Sequence, residues 1–161
     1  MNAAVPSPLV RVQAAPFDTG AEQQDLAAGR PDIGAVVAFT GLCRDEDGRL
    51  AALEIEHYPG MAEAEIGRIA AQATERWPLA ALRVIHRHGR IEPGEAIVLV
   101  IAAAAHRRAA FEAANFLMDY LKSRAPFWKR EHLADGSVGE WVESRAADAR
   151  AAERWTETGR V

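Results

Sequence analysis

Ten consecutive apolar residues, Ala96-Ile-Val-Leu-Val-Ile-Ala-Ala-Ala-Ala105, run from the turn sequence Glu92-Pro-Gly-Glu95 to the polar pair His106-Arg107. The run is well short of the roughly 18–20 residues that a membrane-spanning helix needs. It has no polar alternate positions, so it cannot be a strand with one wet face. It reads as a central strand covered on both faces. A chain built around such a strand must supply packing layers on each side of it.

The flanking sequence supplies them. Leu9–Ala14 alternates weakly as a first strand. Thr19-x-x-Glu22 has the spacing of a capping box and opens a short helix to about Ala28, closed by Gly29 and Pro31. Ile33–Leu42 is a β-rich apolar run. After the polar turn 44–49, Leu50–Tyr58 alternates as the return strand of a hairpin. Met61–Trp77 is an amphipathic helix stopped by Pro78, with Met61, Ile66, Ile69, Ala73 and Trp77 roughly on one face. Leu82–Ile91 alternates as one strand, and a second long helix runs from about His106 to Arg124. Trp128–Leu133 and Val138–Glu143 flank Ala134-Asp-Gly-Ser137 as a hairpin, and residues from Ser144 to about Trp155 form a short charged helix. The order predicts a mixed sheet with packed helices, an α+β or α/β sandwich. Residues 1–8, with Pro6 and Pro8, read as a flexible leader, and 9–161 as one domain of ordinary size.

The formal charge is −4, so general nucleic-acid and anionic-membrane binding are disfavoured. The opening residues lack the charged start and apolar run of a secretory signal, which predicts a cytoplasmic protein. The single cysteine, Cys43, excludes an intramolecular disulfide and a cysteine-based zinc cluster. His86-x-His88 places two imidazoles on one strand face, but no carboxylate or cysteine pattern completes a metal site. Glu54, Glu56 and Glu63 show no pairing that marks acid–base work.

The chemistry concentrates between His106 and Glu131, where six Arg and Lys residues face three acids. Of nineteen Arg and Lys residues in the chain, only Lys122 and Lys129 are lysine. Arginine is a permanently charged planar fork; lysine is a compact charge whose pKa falls on burial, so it can move protons or attack a carbonyl. Lys122 and Arg124 also complement the dipole at the end of their helix, and Lys122 could pair with Asp119 as a solvated surface residue. Phe127-Trp128 beside Lys129 either excludes water or stacks a flat heterocycle, or simply packs in the core. Arg44 follows a buried strand, a usual place for a ligand-binding side chain, and reads equally as a solvated turn residue. His106 and Arg107 open the helix, where free backbone N–H groups favour anions. They lie fifteen residues from Lys122, roughly 22 Å at 1.5 Å per residue. One small substrate reaches both ends only if two copies of the helix run antiparallel across a two-fold interface. A non-catalytic docking scaffold and a phosphate-ester enzyme are the competing classes; the second lacks a glycine-rich phosphate loop.

Four segments resemble the large, catalytic subunit family of molybdopterin synthase. They are Gly34-Ala-Val-Val-Ala-Phe-Thr-Gly-Leu-Cys-Arg44, Leu53-Glu-Ile-Glu-His-Tyr-Pro-Gly-Met61, Ala105-His-Arg107 and Met118-Asp-Tyr-Leu-Lys-Ser-Arg-Ala-Pro-Phe-Trp-Lys-Arg-Glu131. The resemblance implies an α/β hammerhead fold with a small β-rich subdomain and a central homodimer with shared active sites. It implies a small ubiquitin-like sulfur-carrier subunit whose C-terminal Gly-Gly thiocarboxylate enters a pocket. The substrate would be cyclic pyranopterin monophosphate, and two sulfur transfers would build the dithiolene of molybdopterin with no metal or other cofactor. Lys122 and Lys129 match the family's catalytic lysines, and Arg44 its arginine after the Phe-Thr-Gly strand. His106 and Arg107 match a pair reaching in from the neighbouring subunit. Phe39, Met118, Arg130, Glu131 and Arg145 match pocket-lining or tail-contacting positions. Leu42-Cys43 stand where the family often has a basic residue and valine, which leaves backbone contacts as their role.

Overall fold

The computed structural model describes residues 6–143 and 146–157; residues 1–5 of the expected leader and the candidate Arg145 lie outside the described residues. The elements are β1 (Leu9–Gln13), α1 (Thr19–Ala27), β2 (Ala35–Leu42), β3 (Leu50–His57), α2 (Met61–Arg76) and β4 (Leu79–Arg87). They continue as β5 (Gly89–Ile91), β6 (Ala96–Ala104), α3 (Arg107–Arg124), β7 (Phe127–Leu133) and α4 (Ala146–Glu157). One mixed sheet has the order β1-β4-β6-β2, with β1 parallel to β4 and the other pairs antiparallel. A second, antiparallel sheet, β5-β3-β7, is the small β-rich subdomain.

The apolar run is β6, an interior strand of the larger sheet, and both its faces are covered. Val98, Val100, Ala102 and Ala104 point into the main core with the inward residues of α2 and α3. Leu99, Ile101 and Ala103 point the other way, onto Ile85 and Leu26 of α1. On α2 the buried side chains are Ala62, Ile66, Ile69, Ala70 and Ala73, whereas Met61, expected inside, is exposed.

Four local expectations are corrected. Asp18, not Thr19, caps α1, accepting from the Ala21 N–H at 2.9 Å. Glu22 is thereby released to bind Arg11 and the buried Arg83, which also reaches Asp25 at 2.9 Å and so ties α1 to β4. Second, β2 and β3 do not form a hairpin. Seven residues, 43–49, separate them, more than a tight hairpin loop holds. The exit of β2 is instead tied to the 92–95 turn through Cys43 N to Glu95 O (2.8 Å) and Gly94 N to Cys43 O (2.7 Å). Third, 82–91 is two strands in two sheets, broken where Gly89 takes φ +90°, a conformation that glycine reaches without steric cost. Fourth, 138–143 is not a strand. Among the described residues it forms only isolated bridges with β7, at Lys129↔Val142 and His132↔Val138. Four steps on one side oppose three on the other, and the surplus residue prevents a continuous ladder.

At the other end of β6, Gly34 packs directly against the chain. Its N–H bonds Ala104 O at 3.0 Å, and a Cβ there would lie 2.2 Å from the Ala105 carbonyl oxygen. Gly34→Ala is therefore expected to destabilise the protein by about 1–3 kcal/mol, read as a fall of several degrees in the thermal unfolding midpoint, whereas Gly67→Ala, inside α2 with no neighbour within 4 Å, should raise stability by about 0.5–1 kcal/mol.

Candidate active site

A cleft of about 590 Å³ is lined by residues of both sheets and of α3. Three parts of the chain frame it. The exit of β2 contributes Phe39, Leu42, Cys43 and Arg44; the last turns of α3 contribute Met118, Leu121 and Lys122; β7 contributes Phe127, Lys129, Arg130 and Glu131. His86 and Val98 of the larger sheet also line it, and the 139–143 segment borders it with Gly139, Glu140, Val142 and Glu143.

Nine of the candidate residues thus come together: Phe39, Leu42, Cys43, Arg44, Met118, Lys122, Lys129, Arg130 and Glu131. Lys122 shares a helix face with Met118 at the i−4 position. It is exposed, and it does not take Asp119. That carboxylate accepts instead from Arg154 (2.5 Å) and the Trp155 indole (2.7 Å). Lys129 is held in place by its backbone, which exchanges hydrogen bonds with Val142 at 3.0 and 2.7 Å and pairs in register with Ile55. Arg130 donates to Glu54 (2.7 Å) and lies over the Trp141 ring at 4.4 Å. Glu54 also bonds His132 at 2.6 Å, and Arg130 first, then His132, hold its carboxyl below the ordinary carboxylate range. Arg44 is exposed and pairs with Glu46 at 2.5 Å. Phe39 and Leu42 leave 39% and 56% of their surface open at the cleft.

Cys43 behaves as a small apolar residue. It is buried, its sulfur approaches the Ile91 carbonyl at 3.8 Å, and burial pushes its thiol up, away from the thiolate that a nucleophile requires. His106 and Arg107 stand at the opposite end of α3 from Lys122, exposed and away from the cleft of their own chain. Of the Phe127-Trp128 pair, Phe127 is buried beside the cleft, while Trp128 turns outward to Tyr58 (ring centres 5.2 Å) and donates to Glu143 at 3.0 Å.

His86 is the site residue that sequence reasoning passed over. The His86-x-His88 spacing suggested a shared face, but the chain breaks between them. His88 packs on His57 at 4.4 Å, and His86 lies flat on Phe127 at 3.8 Å, 13° from parallel. Among the described residues no three His, Cys, Asp or Glu side chains form a group that could hold a metal ion. Burial pushes the His86 pKa down to about 3, outweighing its hydrogen bond to the Arg87 carbonyl, which acts the other way. His86 shares β4 with the buried Arg83 and Arg87, so its polarity alone does not single it out in the sequence.

The family model described as MoaE protein matches residues 12–124. The chain belongs to the MoaE family. It is 70% identical over 152 residues to the molybdopterin synthase catalytic subunit of Mesorhizobium japonicum, covering 94% of this chain and 96% of that one. Among solved structures it resembles the molybdopterin biosynthesis MoaE protein of Burkholderia ambifaria, with TM-score 0.80 and 45% identity over 92% of this chain and 98% of that one. It also resembles molybdopterin synthase of Staphylococcus aureus, with TM-score 0.73 and 28% identity over 81% and 94% of the two chains. Among the described residues, no helix of this MoaE chain is long and apolar enough to cross a membrane.

The depressed His86 pKa carries a stability prediction. Between about pH 6.5 and 3 the unfolded chain protonates this imidazole and the native state does not, so stability falls with pH across that window. From pH 6.5 to 5 the loss from this group amounts to about 2 kcal/mol. His86→Phe should flatten this part of the profile, as measured by urea unfolding at pH 7 and 5.

Proposed function

We propose that this chain is the catalytic subunit of molybdopterin synthase and that it works as a sulfurtransferase. The observation that carries the reading is that the chain's only two lysines, from two different elements, line one cleft together with Arg44 and Arg130. The partner is a small ubiquitin-like carrier whose C-terminal Gly-Gly thiocarboxylate enters the cleft beside the exposed Phe39 and Leu42. The substrate is cyclic pyranopterin monophosphate.

The residue types suit this chemistry. Thiocarboxylate, phosphate and the intermediates between them are anionic, and fixed cations stabilise negative charge that develops beside them. The thiocarboxylate sulfur attacks an oxygen-bearing carbon of the pterin side chain; the carbon–oxygen bond there breaks, its oxygen leaves as water or with the phosphate, and the sulfur stays linked to the carrier as a thioester. Water cleaves that link, the carrier departs as a carboxylate, and sulfur stays on the pterin. A second carrier repeats the transfer to complete the dithiolene. Each cycle moves protons, and Lys122 is the residue we assign to that task. Lys129, Arg44 and Arg130 hold the anions, with Glu131 and Met118 shaping the tail's path.

His106 and Arg107 act across a two-fold interface. Their separation from Lys122, about 22 Å along α3, suits an antiparallel pair of helices in which each end serves a different cleft. The central homodimer then carries two shared sites, with one carrier bound at each.

Lys122→Ala is expected to lower conversion by about 10²–10⁴-fold while circular dichroism and the dimer mass stay as in the parent. Lys122→Arg should fail as well, because arginine keeps the charge but does not titrate; a near-normal rate in that variant would refute proton transfer by Lys122. For the shared site, Lys122→Ala and Arg107→Ala chains are refolded together. Random pairing restores roughly a quarter of the sites, so the mixture should turn over faster than either parent, and no gain would place both residues in one chain's site.

A further inference from the structure

His86 is buried on the sheet face that borders the cleft, yet the chemistry assigned above does not use it. Its surroundings fix what it can offer. Nδ1 lies 2.8 Å from the Arg87 carbonyl oxygen, which can only accept, so Nδ1 carries the proton. The ring is pinned flat against Phe127 at 3.8 Å. Burial keeps the imidazole uncharged at neutral pH, so Nε2 is a bare acceptor and the only polar atom His86 has left to present to the cleft.

The neighbouring donor follows from strand geometry. Side chains two residues apart share a strand face, so Lys129 leaves β7 on the same side as Phe127, about 7 Å further along. A four-carbon stem spans that distance. Among the described residues, the other titratable groups acting on the ring are His57 on β3 and His88 just past β4, both imidazoles, and Lys129 is the cation that acts on it.

We propose that His86 is a positioning residue: its Nε2 accepts a hydrogen bond from the Lys129 ammonium and aims that group at the anion in the cleft. The proposal rests on the sulfur-transfer reading for its consequence in turnover, but not for the contact itself.

The chain's having only two lysines makes the contact directly measurable. With lysine labelled at the ε-carbon, NMR titration gives one signal for Lys122 and one for Lys129. An acceptor favours the ammonium form, so His86→Phe should lower the Lys129 pKa by about one unit and leave Lys122 in place. His86→Gln, which keeps an acceptor oxygen, should restore much of it. In turnover, His86→Phe should cut kcat about tenfold or more with KM for the pterin within about twofold. Adding it to Lys129→Ala should cost nothing further, since one residue acts through the other. A Lys129 signal that does not move, or losses that add in the double variant, overturns the proposal. A parent chain that forms no product refutes the sulfur-transfer reading alone, because the Lys129 shift decides the contact without turnover.

Discussion

Strand β6 has no polar face, and much of the architecture follows from burying it twice. Helices α2 and α3 cover the side of Val98, Val100, Ala102 and Ala104, while α1 covers the side of Leu99, Ile101 and Ala103. A buried strand also needs both its edges hydrogen-bonded, which β4 and β2 provide. Because α3 packs on one face, its last turn arrives beside the exit of β2. Lys122 and Arg44 therefore line one cleft as a consequence of how β6 is buried.

The second sheet completes the site. The chain leaves the larger sheet at His88, turns through Gly89 and pairs with β3. Buried Arg87 braces this joint, bonding the carbonyls of Ala14 and Ala96 at 3.2 Å each. With β3 anchored there, β7 adds to its far edge and brings Lys129, Arg130 and Glu131 opposite α3. The cleft thus joins a helix end, a strand exit and a strand from a separate sheet. A side chain from one element can meet a charge supplied by another, which local sequence spacing alone does not provide.

The parts legible in the sequence are those with local causes. The uninterrupted apolar run marked β6, Pro78 bounded α2, and the scarcity of lysine pointed to Lys122 and Lys129. The parts that were not legible depend on distant partners. Alternation continues through 82–91, so nothing local announces that the strand changes sheets at Gly89. The β2–β3 hairpin was a reasonable local reading, but each strand finds its partner elsewhere in the chain. Thr19 and Glu22 matched a capping pattern that Asp18 satisfies one residue earlier, and Glu22 is used by Arg83 instead. His86 was hidden for a different reason: a histidine on a buried strand looks the same in sequence whether it fills a core or lines a cleft.

The central claim is that this cleft turns a carrier thiocarboxylate into a dithiolene on the pterin. The most direct measurement mixes the purified chain with a carrier bearing a C-terminal thiocarboxylate and with cyclic pyranopterin monophosphate, then follows carrier and pterin together by mass spectrometry. The account predicts a dithiolene product, with two thiocarboxylates converted to carboxylates for each pterin. A folded chain that binds the carrier tail while both thiocarboxylate and pterin persist unchanged would contradict it.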